Sequence, residues 1–139
     1  MSKVAVVYWS GTGNTEAMAG FVAQGAQGAG AEVSTFTSGE FGAAKAAEFD
    51  AVALGCPAMG AEVLEEYEFQ PMWDEVKSAL SGKKVALFGS YGWGSGEWME
   101  SWEAEARSAG NNVVGTSICN GAPGADEAEE LKSLGAALN

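Results

Sequence analysis

The sequence predicts an α/β fold in which helices cover both faces of a parallel β-sheet. Short apolar runs bounded by glycine and polar residues recur about every 30 residues, and the segments between them carry apolar residues at helical spacing. Strands that alternate with helices are joined by right-handed crossovers, which make the strands parallel and place helices on both faces. The length of 139 residues suits one domain, spanning residues 1–139.

Five apolar runs are the predicted strands of this sheet. They are short and rich in β-branched or aromatic residues, which favours strands over helices. Because a parallel sheet is buried on both faces, we expect its strands to be apolar throughout. The five runs are residues 4–9, 33–36, 51–54, 85–88 and 113–118.

Four longer helices and one short helix are predicted between and after the strands. The short one covers the alanine-rich residues 43–47. Pro71 suits a first helical turn, Gly110 suits a stop after Ala109, and Asp126 is expected to cap the last helix. The apolar faces of the longer helices are, in chain order, Met18, Phe21 and Val22; Met72, Val76, Ala79 and Leu80; Trp98, Met99, Trp102 and Ala106; Leu131, Leu134 and Leu138.

A loop of small residues joins the first strand to the first helix. Its glycines allow the backbone to wrap closely around an anion, and the N–H groups and dipole of the helix then stabilise a phosphate without lysine. The lysine of a nucleoside triphosphate loop is absent, and the GxGxxG spacing is not met. An ordinary tight turn is the alternative interpretation, but a terminal monophosphate explains the many donors better. The loop consists of Ser10, Gly11, Thr12, Gly13, Asn14 and Thr15.

A second candidate binding loop follows the third strand. Pro57 stiffens its start, Met59 offers a polarizable surface, and Gly60 permits a backbone conformation with a positive φ. Ala58 and Glu62 belong to the same stretch. The alternative interpretation is a core methionine followed by a turn.

A third candidate loop follows the fourth strand and carries two aromatic residues among glycines. Loops of this kind run over the surface, where an exposed tryptophan is costly unless a ligand covers it. A flat ligand explains the position of Trp93, whereas Trp98 and Trp102 have the spacing of helical core residues. The candidate residues are Ser90, Tyr91, Gly92, Trp93, Gly94 and Gly96.

Taken together, the three loops predict a binding site for FMN. In an open parallel sheet, ligands bind at the carboxyl ends of the strands, where the strand order reverses. A phosphate cradle, a thioether and an indole at three strand ends suit a phosphorylated ligand with a flat heteroaromatic head.

Composition excludes several functions. The chain has no histidine, which removes Ser-His and Cys-His catalysis and His-ligated zinc, and two cysteines are too few for a four-thiolate cluster. A formal charge of −12 makes nucleic acid and anionic membranes poor partners and favours basic proteins. With no membrane-length apolar run and no cleavage-site pattern, we expect a cytoplasmic protein that does not bind membranes.

These motifs resemble those of the flavodoxins, in particular the short-chain flavodoxins of anaerobic bacteria. The matching stretches are SGTGNT, LGCPAMG followed by Glu62, and LFGSYGWGSGEW, and the resemblance covers the whole chain. It implies a flavodoxin-like three-layer sandwich with a five-stranded parallel sheet in the order 2-1-3-4-5. With this order, the fourth strand separates Cys56 from Cys119, so we expect two free thiols.

The resemblance also implies roles for individual residues. The phosphate loop corresponds to residues 10–15, Met59 and Trp93 cover the two faces of the isoalloxazine, and Glu62 accepts a hydrogen bond from flavin N3–H. The Gly60–Ala61 peptide turns toward N5–H in the semiquinone, and Ala61 departs from the polar residue often found there. Ring-edge and backbone contacts are implied for Pro57, Ala58, Ser90, Tyr91, Gly92, Gly94, Gly96 and Asn120.

The function that follows is a low-potential one-electron carrier with non-covalently bound FMN. It would shuttle mainly between semiquinone and hydroquinone, as a monomer without substrate turnover, between redox proteins with basic docking surfaces. The acidic run from Glu62 to Glu75 is either a solvated face or a steering field for those proteins. The alternatives are an FMN-dependent reductase and a flavodoxin-like activator of one partner enzyme.

Overall fold

A computed structural model describes residues 2–60 and 62–139 of the chain. Within this part of the chain, five strands alternate with helices, which confirms all five predicted strands and the short second helix. The elements are β1 (Lys3–Tyr8), α1 (Asn14–Gly28), β2 (Glu32–Thr37), a 3-10 turn (Ser38–Glu40), α2 (Ala43–Ala46), β3 (Ala51–Gly55), α3 (Phe69–Val76), β4 (Lys84–Tyr91), α4 (Glu97–Ser108), β5 (Asn112–Asn120) and α5 (Ala125–Ala136).

The strands form one parallel sheet in the order β2-β1-β3-β4-β5, as predicted. The chain leaves β1 toward β2 on one side and returns to β3 on the other side. The loops after β1 and β3 therefore diverge, and a crevice opens at the carboxyl ends of these two strands.

Helices cover both faces of the sheet and complete the three-layer sandwich. On one face, Met18 and Val22 of α1 pack with Leu131 and Leu134 of α5. On the other face, Trp73 of α3 packs with residues of α4 that include Trp98, Met99 and Trp102. Both helical layers bury most of the apolar residues that the sequence predicts. The exceptions are Phe21, which is half-buried, and Ala79, which is exposed because α3 ends at Val76, earlier than the predicted apolar face.

The expectation that all strands are apolar throughout is wrong for the two edge strands. β3, in the middle of the sheet, is buried along its whole length, whereas every residue of β2 is half-buried or exposed and β5 is mixed. An edge strand has a neighbour on one side only. Residues such as Ser34 and Thr35 of β2 are tolerated there for that reason.

Helix ends follow the predicted signals with one exception. Pro71 lies in the first turn of α3. The C-cap of α4 is Ala109, and the next residue, Gly110, has a φ of 89°. Asp126 does not cap α5. The cap position is Gly124, whose N–H donates to Glu127 Oε1 at 2.8 Å, because a glutamate at the third helical position reaches back to the cap.

Two glycines allow α1 and α5 to approach closely. A Cβ at Gly135 would collide with the carbonyl oxygen of Val22, and one at Gly25 would collide with the backbone of Lys132. Among the residues that the structure describes, no helix is long and apolar enough to span a membrane.

Candidate functional site

The loop between β1 and α1 is shaped by one glycine and one serine. Gly13 has a φ of 95°, a conformation that strongly favours glycine. Ser10 Oγ accepts hydrogen bonds from the N–H groups of Gly13, at 3.0 Å, and Glu16, at 3.3 Å. Ser10 therefore closes the loop on itself and holds the start of α1 in place.

The start of α1 presents backbone N–H groups to the crevice. The first hydrogen bond of this helix runs from the N–H of Ala17 to the carbonyl oxygen of Gly13, at 3.0 Å. The N–H groups of Asn14 and Thr15 precede it, so the helix supplies no acceptor for them. Free N–H groups at the positive end of a helix dipole are the arrangement that favours an anion without a cationic side chain.

The loop after β3 remains attached to β4 and then turns back on itself. The N–H of Ala58 donates to the carbonyl oxygen of Ser90 at 3.0 Å, and the N–H of Met59 donates to the carbonyl oxygen of Val63 at 2.9 Å. This tight turn carries the Met59 side chain at the edge of the crevice.

The positive φ in this turn does not lie at Gly60, as the sequence suggested, but at Glu62, with a φ of 55°. The N–H of Glu62 donates to the carbonyl oxygen of Met59 at 2.7 Å, and this bond closes the turn that begins at Met59 and ends at Glu62. A Cβ at Gly60 would meet nothing within 4 Å, so the space beside this glycine is open. Ala61 lies outside the described residues.

The loop after β4 is tethered at its base and exposes an indole. Ser90 Oγ donates to the carbonyl oxygen of Gly121 at 2.6 Å, and Asn120 Nδ2 donates to that of Gly92 at 3.4 Å. Trp93 is 70% exposed and is therefore not a core residue, as predicted. Tyr91, by contrast, is half-buried and packs on Trp98 with 5.7 Å between ring centroids.

The three loops enclose a cleft of about 320 Å³ at the carboxyl ends of the strands. This volume lies at the lower end of the range typical of small-molecule sites, about 300 to 1,000 Å³. The sequence predicted most of its lining. The lining residues are Trp9, Gly11, Thr12, Asn14, Pro57, Ala58, Met59, Ser90, Tyr91, Gly92 and Gly121.

The other predicted site residues are not among the residues that line the cleft. Ser10 and Gly13 shape the phosphate loop, and the Thr15 side chain is buried beneath it. Asn120 supports the Gly92 loop from behind. The remaining residues of this kind are Gly60, Glu62, Trp93, Gly94 and Gly96.

Glu62 connects two of the loops. Its Oε1 accepts the N–H groups of Gly96 and Glu97, both at 3.1 Å, so a negative charge lies at the N-terminus of α4. Gly94, with a φ of 93°, passes so close that a Cβ there would lie 2.8 Å from this oxygen. The glutamate thus sets the distance between the Met59 turn and the Trp93 loop.

Sequence reasoning missed two lining residues, Trp9 and Gly121. Trp9 is the last residue of the first apolar run and was therefore assigned to the strand. Its position at the carboxyl end of that strand was nevertheless a sign that it could line a ligand site. Gly121 is recognisable only in the structure, where its carbonyl oxygen accepts the Ser90 hydroxyl and its φ is 71°.

The acidic run from Glu62 to Glu75 is partly internal. Besides Glu62, Glu65 is only 5% exposed and accepts three backbone N–H groups at the start of α3. Glu68 accepts the N–H of Gly39, and Glu75 accepts that of Ala43 at the start of α2. These carboxylates therefore stabilise the beginnings of other elements.

Burial raises the pKa of two ionisable groups near the loop after β3, but the net result differs between them. It raises the pKa of the Cys56 thiol to about 12, which keeps this group protonated. Burial also raises the pKa of the Glu65 carboxyl, but the hydrogen bonds from Phe69, Tyr67 and Glu68 outweigh it and leave that pKa below its ordinary value. Cys56 and Cys119 are both free and buried, as expected from the strand order.

The donors and walls of the cleft suit a phosphorylated flat ligand. No lysine or arginine is among the lining residues within the described part of the chain, so a phosphate would rely on neutral N–H groups at the start of α1. Met59, Tyr91 and Trp9 make the rest of the wall largely apolar. The residues present therefore fit FMN, with its single phosphate and its planar ring.

Comparison with known protein families gives one match across most of the chain. The family model described as flavodoxin matches residues 6–135. A flavodoxin of Megasphaera elsdenii is 48% identical over 134 residues, which are 96% of this chain and 96% of the relative. A flavodoxin of Clostridium beijerinckii is 48% identical over 126 residues, or 90% of each chain.

Solved structures agree with these sequence matches. The solution structure of two-electron reduced Megasphaera elsdenii flavodoxin superposes with a TM-score of 0.89 at 46% identity, covering 96% of this chain and 98% of the other. A flavodoxin from the domain Archaea superposes with a TM-score of 0.86 at 29% identity, covering 98% and 95%.

Proposed function

This chain belongs to the flavodoxin family, whose members are flavin-binding electron carriers, and from that premise we propose that it is a one-electron carrier with FMN held non-covalently in the cleft. It passes single electrons between redox proteins and works mainly between the one-electron-reduced and fully reduced states of its cofactor. One observation carries the proposal: a single cleft is lined both by Asn14, at the N-terminus of α1, and by Gly92, the neighbour of the exposed Trp93.

The phosphate end of the site is assigned to the loop before α1. The N–H groups of Asn14 and Thr15 have no helical acceptor, and Thr12 and Asn14 line the cleft. Ser10 keeps these groups in position through its two hydrogen bonds from the loop backbone. A phosphate bound here neutralises the helix dipole and leaves the cationic side chains of the chain unused.

The ring end is assigned to Met59 and Trp93, one for each face of the cofactor. Trp93 follows Gly92, which lines the cleft, on a loop tethered by Ser90 and Asn120, and its exposed indole is available to cover the cofactor. Glu62 is assigned to the N3–H of the ring. Both of its backbone bonds go to Oε1, and Oε2 is the oxygen we assign to the cofactor.

The bound cofactor supplies the one-electron chemistry, and the chain sets its energetics. A net charge of −12 and an apolar wall disfavour additional negative charge in the cleft. The second one-electron step therefore has a low reduction potential, and the fully reduced cofactor is a strong reductant. Open space beside Gly60 favours a movable peptide there, although Ala61 lies outside the described residues and its effect stays a prediction.

Stepwise reduction of the FMN-loaded protein tests this proposal. The protein is titrated with dithionite under anaerobic conditions while its absorption spectrum is recorded. We expect a long-wavelength band of the one-electron-reduced form to rise and then disappear before full bleaching. Direct passage from the yellow to the bleached form would contradict a one-electron carrier, and steady oxidation of NADPH by the protein alone would favour a reductase.

A further inference from the structure

We propose that redox partners dock on an apolar groove beside the cleft, with Tyr67 as the anchor. This inference rests on the proposed function, because it names the surface through which such a carrier meets its partners. The groove has a volume of about 260 Å³ and lies between the Met59 turn and the segment that leads into α3. It is lined by Met59, Gly60, Val63, Glu65, Glu66 and Tyr67.

Two exposed apolar side chains mark this groove as an interaction surface. Tyr67 is 91% exposed and Val63 is 41% exposed. Trp93 is exposed to a similar degree, but we assign it to the cofactor. An aromatic ring that projects almost fully into solvent gains nothing in the free protein, and tyrosine is enriched at protein interfaces for its large, rigid contact area.

Tyr67 projects from a backbone segment that is held by hydrogen bonds to a buried carboxylate. Its N–H donates to Glu65 Oε2 at 2.8 Å, and the same carboxylate also holds the N–H groups of Glu68 and Phe69 at the start of α3. An anchor on a fixed backbone loses little conformational entropy when a partner covers it. The segment is therefore organised for binding before a partner arrives.

The groove is continuous with the cofactor cleft. Met59 lines both of them, so a partner seated in the groove lies one side chain away from the cleft. Electron transfer slows steeply with distance, and this position brings a partner close to the cofactor without entry into the cleft.

Charge identifies the chemistry of the partner. Residues 46–76 contain no lysine or arginine, and Glu66 at the rim of the groove is exposed. A second copy of this chain would bring another net charge of −12 and be repelled. The occupant that fits is a redox protein that exposes the apolar edge of its own prosthetic group within a ring of lysines or arginines.

Electron transfer to a basic haem protein tests the anchor. Fully reduced, FMN-loaded protein is mixed by stopped flow with oxidised cytochrome c at low ionic strength, and in parallel with ferricyanide, a small acceptor that needs no docking. We expect Tyr67→Ser to slow transfer to cytochrome c about fivefold or more and to leave the ferricyanide rate unchanged. Tyr67→Phe keeps the ring and should restore the wild-type rate.

Two matched charge variants test the rim. Glu66→Gln and Glu129→Gln remove the same charge, but Glu129 lies on α5, on the opposite face of the sheet. We expect only Glu66→Gln to slow transfer to cytochrome c and to flatten its dependence on salt. Equal effects of the two variants, or a Tyr67→Ser variant as fast as wild type with cytochrome c, would overturn the docking surface.

A binding readout separates this inference from the proposed function. Amide chemical shifts of the oxidised protein are recorded during titration with cytochrome c, which requires no electron transfer. Shifts concentrated at Val63, Glu66 and Tyr67 support the groove even if the reduction experiment finds no one-electron-reduced state. Shifts confined to other surfaces overturn it even if that experiment succeeds.

Discussion

Replacing Glu65 with glutamine removes the carboxylate that organises the segment between the cleft and α3. Glu65 Oε1 accepts the N–H groups of Glu68 at 2.7 Å and Phe69 at 2.9 Å, and Oε2 accepts that of Tyr67 at 2.8 Å. Glutamine keeps one acceptor oxygen, but its amide NH₂ group must face at least one of these donors. The variant therefore loses one hydrogen bond and weakens the other two, since they no longer involve a charge.

The expected cost follows from the number and kind of bonds changed. Hydrogen bonds to charged groups contribute about 1.5 to 3 kcal/mol each, and neutral ones about 1 kcal/mol. At the lower end of that range the three charged bonds contribute about 4.5 kcal/mol, and the glutamine can retain about 2 kcal/mol in two neutral bonds. We therefore expect the variant to lose at least about 2.5 kcal/mol of unfolding free energy at pH 7. For a domain of this size, the unfolding midpoint should fall by roughly 10 °C.

The effect of Glu65 depends on pH in a defined direction. Its pKa in the folded protein lies below the ordinary value of 4.5, so its contribution is fully present above that pH. The contribution is lost as the pH falls from 4.5 through the folded-state pKa, because the wild-type carboxyl then becomes protonated. The difference between wild type and Glu65→Gln should therefore shrink on acidification.

Urea unfolding of the FMN-free protein at pH 7 and at pH 3 measures this difference. Glu66→Gln is the matched control, since Glu66 is the exposed neighbour and its change should cost less than about 0.5 kcal/mol. A Glu65→Gln variant as stable as the control at pH 7 would refute the capping role. A gap of undiminished size at pH 3 would refute the charge argument.

Three further predictions concern other parts of the chain. Trp93→Ala should weaken FMN binding by about 2 kcal/mol, or roughly 30-fold, and raise the reduction potential of the second one-electron step. Fluorescence titration measures the affinity and potentiometry measures the potential. Unchanged values would contradict stacking of the indole on the cofactor. Cys56, fully buried and with its pKa raised to about 12, should react with a thiol reagent at pH 8 only after unfolding, so rapid labelling of the folded protein would contradict its burial. In urea unfolding, Gly135→Ala should destabilise the protein by about 1 to 3 kcal/mol, because the added Cβ collides with the backbone of α1. Gly20→Ala, at a position in α1 with open space beside it, should stabilise the protein by up to about 1 kcal/mol. Equal effects of the two variants would contradict the close packing of α1 and α5.

The order of the elements along the chain follows from local sequence patterns, and so do most of their ends; the cap of α5 and the end of α3 are exceptions. The apolar run of β3 and the helical spacing of Trp98 and Trp102 determine which side chains are buried, and the structure agrees with both. The edge position of β2 was not accessible from its own residues alone. It depends on which strands become neighbours, and polar residues such as Ser34 are acceptable only because one side of β2 has no partner.

The site was predictable where one loop carries its own chemistry. Gly11, Thr12 and Asn14 of the loop before α1 line the cleft, and Trp93 is exposed, as the glycine-rich loop around it indicates. Contacts between distant segments were not predictable, because no local pattern records them. Glu62 lies 34 residues from Gly96 and accepts its N–H. Gly121 is held at the cleft by bonds to β4, since its carbonyl oxygen accepts the Ser90 hydroxyl and its N–H donates to the carbonyl oxygen of Tyr91.

The most direct test of the central claim is to map where FMN binds. Amide chemical shifts of the FMN-free protein, recorded during titration with FMN, locate the cofactor without any assumption about electron transfer. We predict the largest shifts at Asn14, Thr15, Met59 and Gly92, at the carboxyl ends of β1, β3 and β4. Shifts centred on the opposite edge of the sheet, around Lys83 and Asn139, or none at saturating FMN, would contradict the account.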